Sequence, residues 1–292
     1  MSILCNAGTK LIVQGMTGRS GTFYTDQAIT YGTSVVGGVR PGKGGKTHIG
    51  RPVFNTVREA MVETGADATM IMVPAHNAAD AMIEAIEAEM PLIVCVTERI
   101  PVLDMIRVKD ALKGAASELV GPNSQGVLTP GACKIGVMST ADARPGTIGI
   151  ASRSASLTSE VVAGLTAAGL GQSTTVGVGG DPVHGIGFQR CLELFMEDPG
   201  TSGIVLIGEI GGSEEEQAAA YLKANRSAKP VTALVVGRHA PAQRRMGHAG
   251  TLSVFGSGNA ESKNAALKSA GVCVVENVDD VARAMAGTME AA

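Results

Sequence analysis

Ten short runs of β-branched or apolar residues, each followed by a helix-like or loop stretch, constrain this chain more than any other feature. The first series is KLIVQG (10–15), SVVGGV (34–39), ATMIMV (68–73), LIVCV (92–96) and ELVG (118–121). The second is TIGIAS (147–152), TTVGVG (174–179), GIVLIG (203–208), VTALVVG (231–237) and VCVVE (272–276). Between them lie amphipathic stretches such as NAADAMIEAIEAE (77–89), SEEEQAAAYLKAN (213–225) and AESKNAALKSA (260–270). Strands that are apolar on both faces need cover on both faces, and helices supply it. The pattern therefore predicts an α/β protein with parallel sheets.

The stretch from Gly121 to Gly146, rich in Gly, Pro, Ser and Thr, interrupts this rhythm and marks a domain junction. The expected division is a Rossmann-like domain over 1–142, with the junction loop, and a second α/β domain over 143–292, each with about five strands. Thr56 with Glu59, and Ser213 with Glu216, have capping-box spacing and predict helix starts. The acids Glu214, Glu215 and Glu216 then read as a complement to the positive end of a helix dipole.

A formal net charge of -3 removes nucleic acid as a main partner, because no basic excess exists to neutralise phosphates. A local site for a small anion is still open. The five cysteines are scattered with no C-x-x-C pair, which suits a reducing compartment and neither a zinc site nor a disulfide framework. The opening MSILCNAGTKLIVQG lacks a basic segment followed by a long apolar one, and no apolar run reaches the roughly 18 residues of a membrane span. The expectation is a cytoplasmic protein with no membrane partner.

The first strand runs into GMTGRSGTF (15–23), a glycine-rich turn opening a helix, where backbone amides can receive a phosphate. Its spacing is G-x-x-G-x-x-G. A dinucleotide site wants an acid about 20 residues on to hold a ribose. That region instead reads VVGGVRPGKGGKTH, with Arg40, Lys43 and Lys46. Positive charge there favours a ligand phosphorylated near its ribose, so coenzyme A fits better than NAD, and an NAD-dependent oxidoreductase is disfavoured. A second strand-to-helix turn, SRSASLTSE (152–160), carries hydroxyls at Ser152, Ser154, Ser156, Thr158 and Ser159. It reads either as a second anion site or as an N-cap with spare serines.

Glu209 directly follows the strand GIVLIG, and the next strand leads to RRMGHAGTL (244–252), where His248 sits between small residues. Neighbouring strands can deliver this carboxylate and imidazole to one sheet edge. A carboxylate bonded to one ring nitrogen leaves the other nucleophilic, so a phosphorylated histidine is chemically sensible; a surface-loop histidine is the plain alternative. His48 lies in the lysine-rich loop, His76 at a strand end near the proposed coenzyme, His184 in a loop and His239 in solvent. No two histidines have metal-ligand spacing, and no metal site is expected.

GGVRPGKGGKTHIGRPVFNTVREA, GPNSQGV, GGDP, IGEIGGSEEEQAAAYLK and RRMGHAG, in this order, resemble the α subunit of succinate–CoA ligase (succinyl-CoA synthetase) over nearly the whole chain. The resemblance implies a CoA-binding Rossmann domain, then a flavodoxin-like ligase domain. It also implies a separate β subunit with an ATP-grasp fold that holds ATP or GTP with Mg. It makes His248 the phosphorylated residue and Glu209 its supporting carboxylate. Coenzyme contacts map onto Thr17, Gly18, Arg19, Ser20, Lys43, Val96, Thr97 and Glu98. Ser154, Ala155 and Ser156 would sit against the phosphohistidine.

Two motifs depart from the family pattern. Where it reads S-R-S-G-T-L-T-Y-E, this chain has Ala155 for glycine and Ser159 for a tyrosine that touches the acid substrate. Where it reads G-P-N-C-P-G, this chain keeps Asn123 but has Ser124 for cysteine. The expected activity is acid–thiol ligation by phosphohistidine with succinate as the default small carboxylic acid. The same chemistry on a bulkier or hydroxylated acid such as malate or citrate is the alternative. A CoA-binding regulatory protein without catalysis is disfavoured by the retained His248, Glu209 and Lys43.

Overall fold

The computed structural model describes residues 2–225, 228–241, 247–251 and 258–291. Arg244 and Arg245, and the apolar run after His248, lie outside the described residues. The chain separates into two compact units, one of Leu4–Met138 with Val183–Gly185, the other of Met1–Ile3, Ser139–Pro182 and Ile186–Ala292.

The first unit runs β1 (Lys10–Gln14), α1 (Arg19–Tyr31), β2 (Ser34–Val39), β3 (Thr47–His48), β4 (Arg51–Phe54), α2 (Val57–Thr64), β5 (Ala68–Ile71), α3 (Ala75–Glu87), β6 (Leu92–Cys95), α4 (Val102–Ala111) and β7 (Glu118–Val120). The hairpin β8 (Gly126–Thr129) and β9 (Cys133–Gly136) follows. Its sheet has the order β3-β4-β2-β1-β5-β6-β7, with only β3 antiparallel to its neighbour. The predicted apolar runs are these strands, trimmed by a residue or two at their ends. The chain leaves β1 to one side for β2 and later returns to its other side with β5, so a crevice opens where the order reverses.

Helix α2 starts at the expected capping box: Thr56 accepts the Glu59 N–H at 3.1 Å, and Glu59 accepts the Thr56 N–H at 3.3 Å. Ile12, Ile71, Ile93 and Cys95 of the sheet pack with Val57, Ala60, Met82, Ile86, Met105 and Val108 of α2, α3 and α4 in one core. Aliphatic side chains and methionine fill it, consistent with a chain that holds no tryptophan.

The second unit runs β10 (Pro145–Ser152), α5 (Ala155–Ala167), β11 (Gln172–Gly177), α6 (Phe188–Glu197), β12 (Gly203–Glu209), α7 (Glu214–Asn225), β13 (Val231–Val236), α8 (Ala260–Ser269), β14 (Cys273–Val275), a 3-10 turn (Val278–Asp280) and α9 (Val281–Glu290). Five of its strands run parallel in the order β14-β13-β12-β10-β11. Helix α6 buries Phe188 and Phe195 completely, each contributing roughly 1.5–3 kcal/mol of burial. Here too the order reverses, at β10, and the carboxyl ends of β10, β11, β12 and β13 open onto one edge.

The five cysteines form no disulfide, and no helix among the described residues is long and apolar enough to cross a membrane. The acids at 214–216 occupy the first turn of α7 as expected, and Glu215 among them is turned inward and buried with Lys263.

Candidate functional site

At the edge of the second sheet, β12 and β13 lie side by side, with Glu209 opposite Val236 in register. Glu209 is the last residue of its strand and is buried. The loop after β13 returns His248 to it, and His248 Nδ1 stands 2.7 Å from Glu209 Oε2. The other carboxylate oxygen, Oε1, forms an ion pair at 3.0 Å with Nε of Arg153, which follows β10 and is also buried. Thr251 steadies the histidine's backbone by donating its hydroxyl to the His248 carbonyl at 2.7 Å.

The imidazole rests on Gly180, from the GGDP stretch beyond β11. A Cβ at that position would lie 2.5 Å from the ring's Cγ and Cδ2, so only glycine lets the ring lie there. The hydrogen bond to Glu209 holds the His248 pKa above its usual range; partial burial and the Arg153 cation oppose this, and the Glu209 and Asp181 charges reinforce it. With Nδ1 engaged by Glu209, the ring's Nε2 is the nitrogen left to act as nucleophile.

Ser154 is the N-cap of α5 and accepts the Leu157 N–H at 3.4 Å. The N-cap reading of Ser154 is therefore met. One hydroxyl caps the helix, while Ala155 and Ser156 lie exposed at the helix start with amides facing outward from the first turn. The Ser154 and Ser156 hydroxyls are 3.5 Å apart. Ser159, one turn on, is exposed, and its hydroxyl lies 3.5 Å from the Ala155 carbonyl. It is far shorter than the tyrosine that the family pattern places there.

In the first unit, a cleft of about 620 Å³ opens at the reversal of strand order. Gly15, Thr17 and Gly18 line it from the turn after β1, Arg40 and Pro41 from the turn after β2, Val73 from the turn after β5, and Asn77 and Glu84 from α3. The turn depends on its glycines: Gly15 has a φ of +90°, and a Cβ at Gly21 would lie 2.1 Å from the Gly15 carbonyl oxygen. Gly18 caps α1 without a side-chain acceptor, leaving amides of the first turn for an anion. Arg40 Nη1 donates to Thr17 Oγ1 at 2.6 Å and brings a guanidinium to the rim.

Thr17 and Gly18 thus line the cleft. Arg19 and Ser20 are exposed in the first turn of α1, and Lys43 is half-buried in the loop after β2. Val96, Thr97 and Glu98 follow β6, where the Thr97 hydroxyl donates to the Val73 carbonyl at 2.7 Å. None of these last six is among the residues lining the cleft. Asn123 donates its N–H to the Thr97 carbonyl at 2.9 Å, and buried Ser124 accepts the Gly126 N–H at 2.8 Å, so both belong to the first unit. His48 Nε2 pairs with Thr22 Oγ1 at 2.8 Å; His76 and His239 are exposed and His184 is buried in its loop. No cluster of His, Cys, Asp or Glu among the described residues is arranged to hold a metal.

Sequence reasoning missed Arg153, Gly180 and Asp181. The GGDP stretch carried the last two in plain view. Arg153 had no local signal, since a buried arginine reads like any exposed one.

Residues 6–99 match the CoA binding domain, and residues 151–273 match the CoA-ligase domain. Over 279 residues the chain is 53% identical to the succinate–CoA ligase (ADP-forming) subunit alpha of Aquifex aeolicus, spanning 95% of this chain and 91% of that protein. The chain belongs to the succinate–CoA ligase α-subunit family. A Staphylococcus aureus protein of the same name is 50% identical over 272 residues, covering 93% of this chain and 90% of its own.

Among solved structures, ATP citrate lyase from Methanothrix soehngenii superposes with a TM-score of 0.89 at 22% identity, over 99% of this chain and 51% of that one. A dinucleotide-forming acetyl-coenzyme A synthetase from Ca. Korarchaeum cryptofilum superposes with a TM-score of 0.76 at 17% identity, over 94% of this chain and 59% of that one. This α-subunit chain spans little more than half the length of those chains, and the likeness to them is one of fold.

Proposed function

We propose that this chain is the α subunit of an ADP-forming succinate–CoA ligase, with His248 as phosphoryl carrier and Glu209 as its orienting carboxylate. The observation that carries the reading is the 2.7 Å contact between Nδ1 of His248 and a buried carboxylate, at the edge where α5 also begins. Nδ1–H donates to Glu209, and the Nε2 lone pair attacks the terminal phosphoryl group of ATP, forming a P–N bond as the bond to the departing ADP breaks. A phosphorylated ring that keeps its Nδ1 proton carries positive charge, which Glu209 stabilises. The phosphoramidate therefore forms readily yet retains transfer potential, as a reversible carrier requires.

The phosphoryl group then passes to the acid's carboxylate, and the coenzyme A thiol displaces phosphate from the acyl phosphate to give the thioester. The cleft in the first unit offers groups suited to the coenzyme: an open helix N-terminus, a glycine turn and the Arg40 guanidinium as donors to phosphate, and the Asp80 and Glu84 carboxylates as acceptors for ribose or amine hydrogens. The nucleotide, with Mg, belongs to a β subunit of ATP-grasp fold, and the family's subunit naming supports that partnership. Succinate is the substrate favoured by relatives at about half identity, so malate and citrate are not favoured despite Ser159. The intact His248–Glu209 pair supports catalysis over a purely regulatory role.

Incubating the α–β complex with ATP labelled on its terminal phosphate tests the carrier. Acid-labile label on His248, absent from His248→Asn, supports the reading; label that survives this substitution overturns it. A thioester assay across succinate, malate and citrate then tests the substrate.

A further inference from the structure

Glu215 sits in the first turn of α7, where the sequence makes it one of three acids complementing the helix dipole, yet its side chain is 1% exposed. Its partner Lys263, from α8, is completely buried. Lys263 Nζ pairs with Glu215 Oε2 and donates to the Gly211 carbonyl at 2.6 Å. Oε1 of Glu215 accepts the backbone N–H of Glu209 at 3.0 Å. Gly208 leaves room for that carboxylate, since a Cβ there would lie 2.4 Å from Oε1. Gly211 is tied further by its N–H to the Gly258 carbonyl at 2.7 Å. The end of β12 is thus gripped on either side of Glu209.

An ion pair this deep costs desolvation that its attraction barely repays, so a purely structural need is met as well by apolar residues. What apolar residues lack is an acceptor for the Glu209 N–H. We infer that Glu215, braced by Lys263, is a positioning residue for Glu209 that fixes the direction in which the strand end presents its carboxylate to His248. At 2.7 Å that hydrogen bond has little slack, and a displacement on the order of 1 Å takes it out of range. Among the described residues, the charged groups acting on His248 are Glu209 from β12, Arg153 beyond β10 and Asp181 beyond β11; neither Glu215 nor Lys263 is among them. An effect of Glu215 on the imidazole therefore passes through the placement of Glu209. The kinetic arm of the test rests on the phosphocarrier reading, and the titration arm does not.

Two double variants separate acceptor from charge. Glu215→Leu with Lys263→Met removes the pair and the acceptor. Glu215→Gln with Lys263→Met removes the same charges but keeps a carbonyl for the Glu209 N–H. His248 is titrated by NMR in the full chain, its signal assigned by its loss in His248→Asn. The Leu/Met variant is expected to lower the His248 midpoint by about one pH unit and to slow its phosphorylation in the α–β complex about tenfold, while the Gln/Met variant recovers most of both. Gly208→Ala, which pushes the carboxylate off the turn with both charges kept, should reproduce the Leu/Met shift and serves where Leu/Met does not fold. Equal His248 titration in wild-type, Leu/Met and Gly208→Ala proteins overturns the inference, as does an equal fall in both double variants. Label persisting in His248→Asn overturns the carrier reading alone and leaves the titration result standing.

Discussion

Oε2 of Glu209 lies 2.7 Å from Nδ1 of His248, and this contact raises the proton affinity of the ring. Glu209→Gln keeps an acceptor but loses the charge, so the His248 midpoint should fall toward the ordinary value of about 6.5. Because Nε2 attacks only when unprotonated, phosphorylation in the wild type should rise with pH through the raised midpoint. In the variant the rise should begin at lower pH and reach a plateau about a hundredfold lower. The stability linkage has a definite sign. A histidine with a raised folded-state pKa contributes stability that is complete below its unfolded value and is lost as pH climbs through the folded one. Thermal melts should therefore separate wild type from Glu209→Gln most at mildly acidic pH and less in alkali, where only the lost buried pairing with Arg153 still counts. Parallel melting profiles at all pH values would count against the pairing.

Gly180→Ala adds one methyl group 2.5 Å from the imidazole. Backbone on one side and a ring held by Glu209 on the other leave no easy relief, so the ring should be displaced. Phosphorylation of His248 is expected to fall about a hundredfold, with a stability loss of about 1–3 kcal/mol. Rapid-quench labelling alongside denaturant unfolding measures both. Normal labelling in a folded Gly180→Ala protein would show that the ring does not act from this position.

The strands were legible because burial on both faces writes itself as continuous apolar residues, as in GIVLIG and VTALVVG. Glu209 and His248 were legible together because each follows a strand in a sheet whose neighbouring strands could be inferred, and β12 and β13 are indeed adjacent. Arg153, Glu215 and Lys263 were not. Charged side chains are almost always solvated, so burial of a charge depends on partners distant in sequence, here 56 residues for Arg153 and Glu209. Glu215 was further disguised, since two neighbouring acids make it look like part of a first-turn cluster.

Thr56→Ala separates stability from function. The capping box ties the first turn of α2, and neither Thr56 nor Glu59 lines the cleft. Its loss should cost about 1 kcal/mol in denaturant unfolding and leave His248 phosphorylation and thioester formation unaltered. A drop in either rate would mean that α2 carries a functional load not evident from its contacts.

Arg40→Gln tests the cleft as the coenzyme site. Arg40 places a permanent cation at the rim and holds Thr17 at 2.6 Å, beside the open N-terminus of α1. Removing the cation should weaken attraction for a phosphorylated ligand. The KM for coenzyme A is expected to rise about tenfold, with a much smaller change in kcat and a weaker dependence on ionic strength. Labelling of His248 by nucleotide, which precedes coenzyme use, should not follow the KM. If labelling falls in step with thioester formation, Arg40 serves the phosphoryl chemistry or the partner subunit, and the coenzyme must be sought elsewhere. A rise in KM confined to the coenzyme, steepest at low salt, assigns its phosphates to this cleft.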